Sequence, residues 1–291
     1  MTDLSFPPPG PARAPHMVPA SSYPLQQTHA EGSRKVLAGA AVAWFAVAAS
    51  GQAIFLLYIL MLYGVTLFTG DYGAWSRMMP RGLVDGDIAG NAATIAHVLI
   101  AAVVTASGAL QLIPAIRTRY RVFHRWNGRV YLATVTVASL TGLWMVWNRS
   151  QLGGIVQHSA MTINAVLILV AATLVLRHAL ARRMEAHRRW ALRLFMLASG
   201  VWFFRVGLMF WIAVNGGPVG FDPTTFRGPA LDILTFLQYL LPLALLEIYF
   251  RARESDSRAV RLSTAGMLMV MTLAMGLGIG MATIGMWLPN L

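Results

Sequence analysis

The 291-residue chain is 57% hydrophobic and only 12% charged, carries a formal net charge of +12 and has no cysteine. Soluble domains carry about 25% charged residues, so this composition, with a mean hydropathy of +0.59, points to an integral membrane protein. The missing thiols exclude disulfides, zinc–cysteine sites, iron–sulfur clusters and covalently attached c-type haem.

Residues 1–32 are Pro-rich and hold no apolar run, a pattern that predicts a disordered cytoplasmic tail and not a secretory signal. Seven apolar segments follow, near 36–66, 91–115, 126–147, 155–177, 190–214, 230–250 and 263–287. Each is long enough to cross ~30 Å of hydrocarbon as a helix. The runs are continuously apolar and do not alternate in short units, so they read as helices and not as barrel strands. The expectation is an all-α, polytopic transmembrane domain over 33–291, with a four-helix core over 91–214.

Basic residues set the orientation. Arg34, Lys35 and the clusters Arg117–Arg129, Arg177–Arg193 and Arg251–Arg261 all fall on one side of the seven spans. The opposite side has only Arg77, Arg81, Arg149 and Arg227. Positive charge is retained on the cytoplasmic side, so the amino terminus is expected inside the cell membrane and the carboxyl terminus outside. The net charge would suggest nucleic acid in a soluble protein. Here it is read as topology and contact with anionic lipid head groups, with no nucleic-acid partner.

A repeat lies within this plan. "HRWNGRVYL" starts at His124 and "HRRWALRLF" at His187, each at the cytoplasmic end of a span, the third and the fifth. The second and fourth spans carry His97 and His158 near the outer surface. The pairs His97/His158 and His124/His187 are separated by 61 and 63 residues, the mark of a duplicated helical hairpin repeated in parallel. In a bundle of spans two to five, each pair would share one depth. Two histidines on facing helices at matched depth are suited to be the axial ligands of a noncovalent b-type haem. Arg125, Arg129, Arg188 and Arg193 would lie beside the inner pair, where guanidinium groups suit propionates. Arg205, in "SGVWFFRVGLMFW", sits deep in the fifth span. A charge at that depth is expected to pair or to line a polar cavity, with Asn164, Gln238 or an anionic ligand as candidate partners and an outward reach toward Asp232 as the alternative. His178 is expected in a solvated inner loop.

The two arginine-rich clusters resemble those of a bacterial membrane-protein family catalogued as a domain of unknown function, number 2306, over about His97 to Trp211. That resemblance implies a polytopic membrane protein and no established activity. The two-by-two histidine plan is similar, in arrangement and not in sequence, to the diheme transmembrane cytochromes b. By that likeness His97 pairs with His158, and His124 with His187. His124 and His187 depart from it by lying at the membrane boundary.

Three functions are left open: a haem-binding electron carrier served by a small reductant or a quinone, a transporter or proton relay, and a noncatalytic membrane scaffold. Walker loops, nucleophile elbows, zinc-protease helices and dinucleotide fingerprints are absent from the sequence, so common soluble enzyme chemistries have no support.

Because the chain has no cysteine, its orientation is directly measurable. A membrane-impermeant maleimide should label Asn290→Cys on intact cells and Asp256→Cys only after permeabilisation. The opposite pattern would invert the topology.

Overall fold

The computed structural model describes residues 23–70, 73, 75, 83–149 and 153–291. Tyr72, Arg77 and Arg81 of the second-span approach, and residues 1–22 of the expected tail, lie outside the described residues. Helix α1 (Tyr23–Ile59) takes in the remainder of that tail. It runs through a π turn, Leu60–Gly64, into the short α2 (Val65–Thr69). The chain continues with α3 (Ile88–Leu112), α4 (Pro114–Arg119), α5 (Arg121–Asn148) and α6 (Ile155–Leu180). Then come α7 (Met184–Ala198), α8 (Gly200–Asn215), α9 (Pro229–Glu254) and α10 (Arg258–Ala282), the last extended by a second π turn, Thr283–Trp287.

Six of these units are long and apolar enough to cross a membrane, and the pair α7–α8 counts as the seventh. The described residues hold no strand, only an isolated bridge between Asp222 and Arg227. The protein is therefore an all-α polytopic membrane protein. This is the outcome hydrocarbon enforces, since each backbone N–H and C=O must be satisfied within its own segment. Hydroxyls obey the same constraint: Thr94, Thr235 and Thr272 donate to the carbonyls of Gly90, Leu231 and Leu268 at 2.8, 2.7 and 2.7 Å. Val42, Phe68 and Leu273 present exposed apolar surface, as lipid-facing positions do.

The fifth span departs from expectation. It is not one helix over 190–214 but two, meeting at Ser199 with a bend of 53°. His178 also differs: it belongs to the last turn of α6 and is half-buried, not a loop residue.

The helices form two groups. Helix α3 packs on α5, α5 on α6 and α6 on α7, and α7 touches α3 to close a ring. Its core holds Tyr131, Val135, Val175 and Leu194. Helices α1, α8 and α10 pack together beside it around Trp44, Phe55, Trp202, Met275 and Trp287. Helix α9 bridges the groups through α6, α7, α8 and α10.

Buried arginines lock the ends of these groups. At one end of the α3–α5 hairpin, Arg149 is only 7% exposed and donates to Asp87 Oδ2 at 3.0 Å and to Asn91 Oδ1 at 2.8 Å. Asp87 also caps α3 by accepting from Gly90 N at 2.9 Å. At the other end of that hairpin, Gln111 donates to the His124 carbonyl at 2.9 Å and Asn127 to the Ser107 carbonyl at 3.0 Å. Arg261, 1% exposed, donates to Ser33 Oγ at 2.9 Å and to the carbonyls of Ser255 and Asp256 at 2.7 and 3.3 Å, joining α1 to the α9–α10 turn.

A β-carbon at Gly90 would collide with Asp87 Oδ2 and Arg149 Nη1. Gly90→Ala should therefore destabilise the protein by about 1–3 kcal/mol, the usual range for overpacking, read as a lower thermal midpoint in detergent. Gly266→Ala, which meets open space, is the control. Equal midpoints for the two variants would dismiss the clamp.

Candidate functional site: a histidine-bearing ring and a deep arginine

The ring α3–α5–α6–α7 places its histidines on diagonals. His97 is on α3 and His158 on α6; His124 is on α5 and His187 on α7. The outer pair does not share the expected depth: His97 meets α5 at Thr141 and His158 meets it at Trp147, six residues, or about 9 Å of helical rise, farther along.

Each ring nitrogen has its own setting. His97 Nδ1 lies 2.9 Å from Thr141 Oγ1 on α5. That hydroxyl also lies 2.9 Å from the Val137 carbonyl and 3.2 Å from the Ala138 carbonyl. With the hydroxyl hydrogen given to either carbonyl, His97 Nδ1–H donates to Thr141 and the lone pair of His97 falls on Nε2. Gly142 leaves room for the ring, since a β-carbon there would come within 3.3 Å of His97 Cε1. His158 stands edge-on to Trp147, with centroids 5.8 Å apart and planes at 74°. Trp147 is itself held by donation to Thr162 Oγ1 at 3.0 Å.

At the inner end, His187 Nδ1 lies 3.1 Å from the Val175 carbonyl. A carbonyl only accepts, so Nδ1 carries the proton and Nε2 is the nitrogen left for other work. His124 Nδ1 is buried with no hydrogen-bond partner. The His187 ring and the Arg117 guanidinium are close enough to act electrostatically on His124. The inner pair is thus brought into one neighbourhood. Fixing Nδ1 through a carbonyl or hydroxyl is how proteins orient metal-ligating imidazoles, although no group of three or more His, Asp or Glu capable of holding a bare metal ion occurs among the described residues.

The arginines divide. Arg125 and Arg188 are exposed. Arg129 is exposed too, and its guanidinium lies 4.7 Å over the Trp126 ring. Arg193 already has a counter-charge: its Nε donates to Glu247 Oε1 on α9 at 2.7 Å, and its guanidinium lies 4.8 Å from the Trp190 ring. Arg189 makes a parallel pair with Glu254 at 2.7 Å. These two pairs fasten α7 to α9, and nothing in the spacing of the arginines separated Arg193 from its neighbours.

Arg205 meets none of its expected partners. Asn164 donates to the Leu197 carbonyl at 3.4 Å, Gln238 to the Thr235 carbonyl at 2.7 Å, and Asp232 accepts from Gln157 at 3.2 Å. Arg205 instead donates one long bond of 3.3 Å to the Val201 carbonyl and lies 5.4 Å over the Phe55 ring. No carboxylate among the described residues is within ion-pair distance of it.

The loop between α8 and α9 folds over the α5–α6 turn. Arg227 Nε donates to the Gly153 carbonyl at 2.8 Å and Gln157 to the Phe226 carbonyl at 3.0 Å. Within the loop, the Thr224 hydroxyl and the backbone N–H groups of Thr224 and Thr225 hold the Asp222 carboxyl below its ordinary value. Phe226 adopts a left-handed backbone, φ 56°, and packs on Phe204 and Phe221.

A family model described as "Predicted membrane protein (DUF2306)" matches residues 94–241, just over half the chain. The chain belongs to that family. The matched stretch runs from α3 into α9 and contains all four histidines of the ring, the α7–α8 bend and Arg205. Helix α1 and helix α10 lie outside it. No curated protein and no solved structure matches the chain.

Proposed function

We propose that the α3–α5–α6–α7 ring is a b-type haem-binding electron-transfer unit of the cell membrane, with His97 and His158 as one ligand pair and His124 and His187 as the other. The single observation that carries this reading is the diagonal placement of both pairs within one ring of helices. Two details support it. The Thr141 hydroxyl and the Val175 carbonyl leave His97 and His187 with their Nε2 atoms uncommitted, and the His124 Nδ1 atom is buried without a partner.

In this role the chain's own residues have separate tasks. Thr141 and Val175 set the tautomer and the orientation of two ligands. Trp147 packs on the third ligand, His158. Tyr131, Val135 and Leu194 fill the middle of the ring and keep water from its interior. Arg125, Arg129 and Arg188 are free to hold propionates or anionic lipid head groups at the cytoplasmic face. Arg193 would do so only by sharing itself with Glu247. Haem, when bound, supplies one-electron redox chemistry, with a small reductant or a quinone as donor or acceptor.

A second reading, a transporter, draws on the bend at Ser199. Broken spans whose backbone and amide groups face the bundle are a feature of carriers. Near the bend Gln52 Oε1 and Asn164 Oδ1 are buried without hydrogen-bond partners.

Purified protein from haem-replete cells should show a Soret band and, after dithionite, split α bands. His97→Ala and His124→Ala should each remove one of the two expected haems while the protein stays folded. Thr141→Val, which keeps the side-chain shape and loses the acceptor, should shift the outer haem's potential without abolishing the colour. A colourless protein that also fails to take up added haem would sink this reading and favour the transporter.

A further inference from the structure

Arg205 is a cation in hydrocarbon with one long hydrogen bond and no carboxylate. By helical rise it lies about 15 Å inside the outer end of α8, too deep for its guanidinium to reach a phosphate without a path. Around it the structure builds a box of aromatic rings. Phe55 lies 5.4 Å below the guanidinium. Trp287 is 5.3 Å from Phe55 and 6.2 Å from Tyr58, and Tyr63 stands edge-on to Tyr58 at 6.3 Å. Tyr63 and Trp287 each belong to a π turn, Leu60–Gly64 in the first span and Thr283–Trp287 in the last. Such turns interrupt a helix at some expense and occur frequently at functional sites. Here two of them bring aromatic residues into one cluster.

Arg205 and Trp287 bring donors to the box, and the Tyr58 and Tyr63 hydroxyls, which both donate and accept, stand with them. Arg205 only donates, and most of its N–H groups are uncommitted. Trp287 is 1% exposed and its indole Nε1–H has no partner. Uncommitted donors at membrane depth and among ring faces suit a ligand with the opposite chemistry: a flat apolar ring bearing acceptor oxygens. A separate groove opens to the lipid along the adjoining turns of α1. It offers about 310 Å³ along the seam between α1 and α10 and is lined by Ala46, Ser50, Gly51, Ile54 and Gly276, Ile54 being the residue before Phe55 in the chain. Its small, apolar walls suit an alkyl or isoprenoid chain.

We infer that the box around Arg205 is a binding site for the head group of a quinone-type lipid, with Arg205 and Trp287 donating to its carbonyl oxygens and its tail lying in the α1–α10 groove. The site is built on α1, α8 and α10. It requires no histidine and no haem, so it stands or falls apart from the electron-transfer proposal.

The test is isothermal titration calorimetry on the full chain in nanodiscs of neutral lipid, with a decyl-chain benzoquinone as probe and oleate as the competing anion. Saturable quinone binding is expected, with oleate binding much more weakly. Arg205→Met should raise Kd about tenfold or more, the amount lost with one charge-assisted hydrogen bond. Trp287→Phe, which keeps a ring and removes only the donor, should raise Kd about threefold or more, and it serves where Arg205→Met does not fold. Ser50→Leu, which fills the groove at a lipid-exposed position, should weaken the decyl probe and leave a tail-less benzoquinone unaffected. Unsaturable binding by the wild-type protein, an unchanged Kd in both donor variants, or oleate binding as tightly as the quinone would each overturn the assignment.

Discussion

Hydrocarbon offers no hydrogen bonds, and that absence organises this molecule. Each polar group within the spans must find a partner inside the protein or be supplied with one. Backbones answer by becoming helices, and threonines by bonding to the carbonyl one turn back. The charged residues answer in three ways. Arg149 and Arg261 are buried and saturated, the first by Asp87 and Asn91, the second by Ser33 and the carbonyls of a turn. Arg189 and Arg193 pair with carboxylates of α9. Arg205 does neither. A residue that breaks the rule its neighbours obey is where a functional argument has the most purchase.

The spans were legible because their signal is additive: some twenty apolar residues in a row leave little other choice. The family was legible from local clusters, His124 with Arg125 and Arg129, and His187 with Arg188 and Arg193. The break in the fifth span was not. Ser199 and Gly200 are small residues common in any membrane helix; such a pair permits a kink, and tertiary contacts meet at it. Asn164 approaches Gly200 so closely that a β-carbon there would come within 3.0 Å of its Nδ2, while Gln52 donates to Ser199 Oγ at 2.9 Å from another helix. The π turns were equally silent, since they follow from packing and not from composition.

The arginines show a second limit. Counting them by loop yields an orientation, and the count treats all as equivalent. The structure divides them sharply: Arg261 at 1% exposure is a structural pin, whereas Arg125 and Arg188 are open to the interface. Charge patterning therefore speaks to topology but not to which guanidinium is available for a ligand. That depends on where Glu247, Glu254 and Asp87 lie in space. Histidines obey the same logic. Spacing of 61 and 63 residues suggested a common depth, but His97 meets α5 at Thr141 and His158 meets it at Trp147, six residues farther along that helix.

The bend at Ser199 gives the two helix groups a common member. Helix α7 belongs to the histidine ring, and α8, its continuation, packs against α10 in the neighbouring group. A straight fifth span would have to remain with one group. The 53° turn lets its first half carry His187 and Arg193 and its second half carry Arg205. Gln52 pins the turn to α1, and Asn164 holds it to α6 through the Leu197 carbonyl. A change at the deep arginine would thus reach the ring by the shortest covalent route the fold possesses, along one span and across a joint fastened on both sides. The family match includes this joint and both its arms, but neither α1 nor α10. The ring and the bent span are accordingly the shared framework, and the first and last spans are the parts that complete the aromatic box around Arg205.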